Sequence, residues 1–97
     1  MVTLDALRSF RREDILRLAR ERGARNLRVF GSVARGDARE GSDLDLLVDW
    51  EPNRSLLDHA GLVEDLQELV GMKVHLGTDK SLHWYVRDRI LREATPL

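Results

Sequence analysis

The chain has no cysteine, which excludes disulfides, thiol chemistry and a tetrathiolate zinc site. No apolar run approaches the ~20 residues a membrane span needs. The opening stretch, Met1 to Asp14, lacks the ~7 to 15 residue apolar segment of a signal peptide, so a cytoplasmic location is the expectation. There is no excess of positive charge either: 16 Lys+Arg stand against 17 Asp+Glu, for a net charge of -1. That balance speaks against nucleic acid as a direct substrate held by an overall basic field. Ninety-seven residues leave no room for a second core, and 1–97 reads as one domain. With 42% hydrophobic and 34% charged residues, the composition is that of a folded chain rather than a disordered one.

The near-neutral sum conceals an acidic middle between basic flanks. Residues 1–30 hold eight Arg against four acids, 37–68 hold ten acids against two Arg, and 69–97 hold five bases against three acids. Most such runs are solvated faces; the alternative is that some of these acids hold a cation.

Periodicity gives a coarse order of elements. Leu4, Leu7, Phe10, Ile15, Leu16, Leu18 and Ala19 fall at helical spacings from about Leu4 to Arg22, with a break near Ser9 and Gly23 as the stop. Asn26 to Phe30 alternates as a short strand and runs into Gly31-Ser32. The polar stretch Val33 to Ser42 suits a brief helical turn and a loop. From Asp43 to Trp50 a strand would point Leu44, Leu46, Val48 and Trp50 one way, and Asp43, Asp45, Leu47 and Asp49 the other. Ser55 or Asp58 caps a helix whose stripe, Leu62, Val63, Leu66, Leu69 and Val70, ends at Gly71. Lys73 to Leu76 forms a third strand, and a last helix starts after Asp79 or Ser81 and ends near Ala94. The expected fold is α/β (α+β) in the order α-β-β-α-β-α: a small mixed three-stranded sheet with helices packed on it.

The chemistry lies in GSVARGDAREGSDLD. Gly31 and Gly36 have P-loop spacing, but Asp37 stands where a phosphate-gripping Lys belongs. The middle glycine of a dinucleotide fingerprint is also absent. What remains is coherent. Gly31 permits a sharp turn after a strand, leaving Ser32 at the start of a helical turn whose free amides favour an anion. Asp43 and Asp45, two apart on a strand, emerge ~7 Å apart on one face and can converge on one cation. Mg²⁺ takes oxygen ligands and is satisfied by one or two carboxylates plus a substrate triphosphate. Separately, a Gly-Ser turn and an Asp-x-Asp edge are commonplace; together they form a phosphate cradle beside a metal-holding pair.

The run GSVARGDAREGSDLDLLVDW resembles the signature of the DNA polymerase β-like nucleotidyltransferase superfamily, and the chain length is similar to that of its minimal nucleotidyltransferase (MNT) branch. The resemblance covers nearly the whole chain. It implies a palm-like fold and Mg²⁺-dependent transfer of a nucleoside monophosphate, AMP from ATP, to a hydroxyl, with one or two metal ions. By position, Gly31 and Ser32 would hold the triphosphate, Arg35 would neutralise a phosphate or brace the acidic loop, and Asp43 and Asp45 would hold metal and serve catalysis. MNT domains of this kind accompany HEPN-family proteins in toxin-antitoxin modules. The resemblance therefore implies an antitoxin that adenylylates a Tyr of a HEPN toxin, in a hetero-oligomer. The alternative is a weakly active or inactive domain that neutralises its partner by binding. A small-molecule nucleotidyltransferase of the aminoglycoside type would need more chain for an acceptor pocket.

One position departs from the pattern. Family members carry a third carboxylate on the next strand, in a phrase like K-V-D-L, and here the phrase is Lys73-Val74-His75-Leu76. A neutral imidazole can accept a proton near working pH, but it is a poorer Mg²⁺ ligand and leaves the site one charge short. Either His75 acts as the catalytic base, or Asp49 or Asp79 reaches in as a substitute, or turnover is low. His59 and His83 lack ligand-like spacing and read as surface or edge residues. On the last helix, Leu82, Trp84, Tyr85, Val86, Ile90 and Leu91 exceed one narrow stripe. They read as completing a small core, with an interface as the alternative.

Overall fold

The computed structural model describes residues 2–97. Helix α1 (Leu4–Ala6) starts where the Thr3 hydroxyl accepts from the Ala6 amide at 3.0 Å. The break expected near Ser9 is a π-helical segment, Leu7–Arg11, which re-phases the chain before α2 (Arg12–Glu21). Ile15 and Ala19 of α2 are buried, and Gly23, at φ +83°, turns the chain out of the helix.

Strand β1 (Ala24–Phe30) begins earlier than its alternation suggests. Asn26, at φ +54°, lies where the pairing register with β2 (Leu44–Trp50) slips between Arg25 and Arg28, so an irregular residue interrupts the pattern that the sequence displays. Between these strands lies α3 (Gly31–Arg35), five residues long and closed by Gly36 at φ +83°. Helix α4 (Leu56–Val70) uses both expected caps. The Ser55 hydroxyl accepts from Leu57 N–H, the Asp58 carboxylate accepts from Ser55 N–H at 3.1 Å, and Gly71 ends the helix. Strand β3 (Val74–Gly77) follows, then a 3₁₀ turn (Asp79–Ser81) and α5 (Trp84–Glu93).

The sheet has four strands rather than three, in the order β3-β2-β1-β4. The added strand, β4 (Thr95–Pro96), pairs antiparallel with β1, opposite Val29 and Arg28. Ala94 leaves the helix in an extended conformation, and Leu97 N–H donates to Leu27 O at 3.1 Å. A proline is tolerated there because β4 lies at the sheet edge. β1 and β2 are antiparallel, whereas β2 and β3 are parallel and joined through α4.

The main core gathers side chains of α2 and α4, such as Ile15, Leu62 and Leu66, against Val29, Leu44, Leu46 and Val48 of the sheet. Truncating one such leucine to alanine removes about 2–5 kcal/mol. Leu47 is also fully buried, outside that cluster and on the face carrying Asp45 and Asp49, so this face is not wholly polar. α5 does not complete the core. None of its residues is buried, and Trp84 and Tyr85 are 81% and 67% exposed. Among the described residues no helix is long and apolar enough to cross a membrane.

Candidate functional site

Strand register assembles the site. Phe30 of β1 pairs with Asp45 of β2, which pairs with His75 of β3, so these three residues form one row across the sheet. Gly31 follows Phe30 directly, and Asp43 directly precedes β2, where Leu44 N–H donates to Lys73 O at 2.8 Å. A cavity of about 400 Å³ opens over this row. Gly31, Ser32, Arg35, Asp43, Asp45 and His75 all line it, so every site residue expected from the sequence meets in one place.

Gly31 is required twice over. Its φ of +73° disfavours any side chain, and a Cβ would overlap the Asp45 carboxylate. The glycine thus lets the start of α3 lie directly against the carboxylate of the neighbouring strand.

His75 Nε2 lies 2.6 Å from Asp43 Oδ2. An ionised carboxylate only accepts hydrogen bonds, so Nε2 carries the proton and Nδ1 of a neutral ring is the free base. Burial pushes the Asp45 carboxyl above the usual carboxylate range; His75 and Arg35 pull it back down, and the charges of Asp43 and Glu93 push it further up.

Two carboxylates that repel each other beside a cavity are a fitting oxygen donor pair for a hard cation. Among the described residues no group of three or more His, Cys, Asp or Glu side chains converges to hold a metal by itself. Any Mg²⁺ here would have to draw further oxygens from substrate and water. Asp49 and Asp79 do not supply a third carboxylate: Arg28 donates to Asp49 at 3.1 Å and to Asp79 at 3.0 Å. Both acids line a separate recess with Val48, Trp50, Thr78 and Lys80.

A profile of the nucleotidyltransferase domain matches residues 12–97. The chain belongs to the nucleotidyltransferase family. It is 40% identical over 93 residues to the protein adenylyltransferase MntA of Thermococcus cleftensis, covering 96% of this chain and 94% of that one. A candidate protein adenylyltransferase of Methanocaldococcus jannaschii is 39% identical over 80 residues, covering 82% of this chain and 86% of the other. A solved structure named for a candidate minimal nucleotidyltransferase superposes with a TM-score of 0.84 at 51% identity, covering 99% of this chain and 97% of that one. A toxin-antitoxin structure with AMP-PNP shares the fold at a TM-score of 0.74 and 18% identity, covering 90% of this chain and 72% of its match.

The nucleotidyltransferase also places residues at the cavity that the motif does not reveal. α5 contributes Arg89, Ile90 and Glu93, while Phe30 and Ser42 complete the wall. Glu93 Oε1 accepts from Gly31 N–H at 2.5 Å and from Arg35 Nη1 at 2.9 Å. The one trace of Glu93 in the sequence is weak: an acid in the last helical turn opposes the helix dipole, which by itself names no partner and no chemistry. Arg35 also donates to Asp37 at 3.2 Å, bracing the acidic loop. Arg35 therefore both lines the cavity and supports the loop. His59 lies beside Trp50, with ring centroids 6.0 Å apart, and His83 beside Tyr85, so neither imidazole is a site residue.

Proposed function

We propose that residues 1–97 act as one minimal Mg²⁺-dependent protein adenylyltransferase, moving AMP from ATP to a hydroxyl of a partner protein. The observation that carries this reading is the single cavity shared by the Gly31-Ser32 turn, the Asp43/Asp45 pair and His75. Gly31 N–H, the Ser32 hydroxyl and the Arg35 guanidinium are the donors for the phosphate oxygens. Asp43 and Asp45 would hold Mg²⁺, which when bound neutralises phosphate charge and aligns the leaving group.

The acceptor oxygen attacks the α-phosphorus, the bond between the α-phosphorus and its bridging oxygen breaks, and pyrophosphate leaves. His75 Nδ1 takes the acceptor's proton, while Asp43 fixes the ring through Nε2. The relatives' names as protein adenylyltransferases support a hydroxyl of another protein as the acceptor. The family resemblance favours a Tyr of a HEPN toxin, with this chain as the antitoxin in a hetero-oligomer.

A second reading, neutralisation by contact with little turnover, draws on two observations. Among the described residues no third side chain joins Asp43 and Asp45 to hold a metal, and Trp84 and Tyr85 are exposed on α5. One experiment separates them. ATP labelled at the α-phosphate is incubated with Mg²⁺, the protein and its candidate partner, beside Asp43→Ala/Asp45→Ala. Label transferred only by the intact protein supports the enzyme; neutralisation without label, equal in the variant, would sink it.

A further inference from the structure

Glu93 ends α5 with its side chain 17% exposed, at the pole where the helix dipole disfavours a carboxylate. What holds it there is the phosphate cradle. A single oxygen, Oε1, takes both Gly31 N–H at 2.5 Å and Arg35 Nη1 at 2.9 Å. These are two of the donors assigned above to the nucleotide. Carboxylate and phosphate oxygens are both anionic acceptors, and two of them cannot occupy one position. Glu93 thus sits where a phosphate oxygen would sit and adds a negative charge near Asp45.

We propose that Glu93 is an internal competitor for the nucleotide's phosphates, displaced from Gly31 and Arg35 when a triphosphate binds, so that this side chain sets the affinity of the site. The inference rests on the reading of the cavity as a nucleoside triphosphate site. Displacement needs only rotation of the side chain. The backbone there is fixed: Ala94 N–H donates to Ile90 O at 2.8 Å, β4 pairs with β1, and Arg8 Nη2 donates to Pro96 O at 2.5 Å. A second partner lies within reach. Arg89 lines the same cavity, makes no ion pair among the described residues, and precedes Glu93 by four residues, the spacing at which helical side chains meet. The carboxylate passes from the cradle to Arg89 as the phosphates enter, and returns as pyrophosphate leaves.

Calorimetric titration of a non-hydrolysable ATP analogue, with and without Mg²⁺, into the wild type, Glu93→Gln and Glu93→Ala tests this. Losing one charge-assisted competitor should lower Kd roughly tenfold in both variants. Thermal melts identify any variant that does not fold, and Glu93→Gln decides the matter if the alanine variant is lost. Equal or weaker binding in folded variants overturns the competitor. So does weakening seen only with Mg²⁺, which would make Glu93 a metal ligand. Absence of binding by the wild type and both variants alike overturns the nucleotide-site reading itself.

Discussion

His75 Nε2 and Asp43 Oδ2 lie 2.6 Å apart, joining β3 to the residue that directly precedes β2. The imidazole stands in the strand row where the sequence resemblance leads one to expect a third carboxylate, and it is hydrogen-bonded to Asp43. A neutral ring there adds none of the negative charge that a carboxylate would bring.

Replacing that imidazole with a carboxylate gives opposite results in two conditions. His75→Asp places a like charge against Asp43, so without metal the melting temperature should fall by a few degrees, about 1 kcal/mol for a domain of this size. With Mg²⁺ the added oxygen ligand should recover that loss and raise transfer activity. Melts in EDTA and in Mg²⁺, alongside the transfer rate, check both signs. A variant with unchanged melting in EDTA would show that the Asp43 contact carries no weight.

Gly31→Ala should destabilise the fold by about 1–3 kcal/mol, because it combines a positive-φ alanine with overlap of the Asp45 carboxylate. The two costs are separable. In an Asp45→Ala background the overlap disappears and only the backbone cost remains, so a double-mutant cycle by denaturant unfolding should give a coupling of about 0.5–3 kcal/mol. Additive effects would mean that Gly31 and Asp45 do not press on each other.

How these residues meet was legible in part. Gly31-Ser32 and Asp43-x-Asp45 announce themselves because a turn and a strand pair are local patterns, visible within fifteen residues. Ser55 and Asp58 likewise show a capping box in four residues. Glu93 and Arg89 lie far along the chain, on a helix whose apolar residues read as core, and only the close of α5 over the cavity gives them a role. β4 escaped for a different reason. Two residues, one of them proline, carry no alternation, and the strand exists because β1 has an unpaired edge to accept it. The Asn26 irregularity hides the start of β1 in the same way, since alternation fails where the register slips.

The raised pKa of Asp45 has a consequence for stability. An acid whose folded pKa lies above its unfolded one binds its proton more tightly when folded, so stability falls as pH rises from the ordinary carboxylate range through the folded pKa. Above that window the full cost of the charge is present. Asp45→Asn should therefore raise the melting temperature in EDTA at neutral pH, and the gain should vanish in acid below the unfolded pKa. The same variant should lose Mg²⁺-dependent nucleotide binding. A gain that persisted unchanged in acid would assign it to packing rather than charge.

Asp49 and Asp79 give the sharpest test of which acids matter. Both are bound by Arg28, whose side chain is only 16% exposed, and neither lines the cavity. Asp49→Asn and Asp79→Asn should leave the transfer rate within about twofold of wild type. Each loses a charged partner of Arg28 and should lower stability by about 1 kcal/mol, because these ion pairs are half-exposed. Asp43→Asn should do the reverse, abolishing transfer while the protein stays folded. If Asp49→Asn or Asp79→Asn instead removed activity with folding intact, that residue would be acting as the missing carboxylate. The row of Phe30, Asp45 and His75 would then have to rearrange when substrate binds.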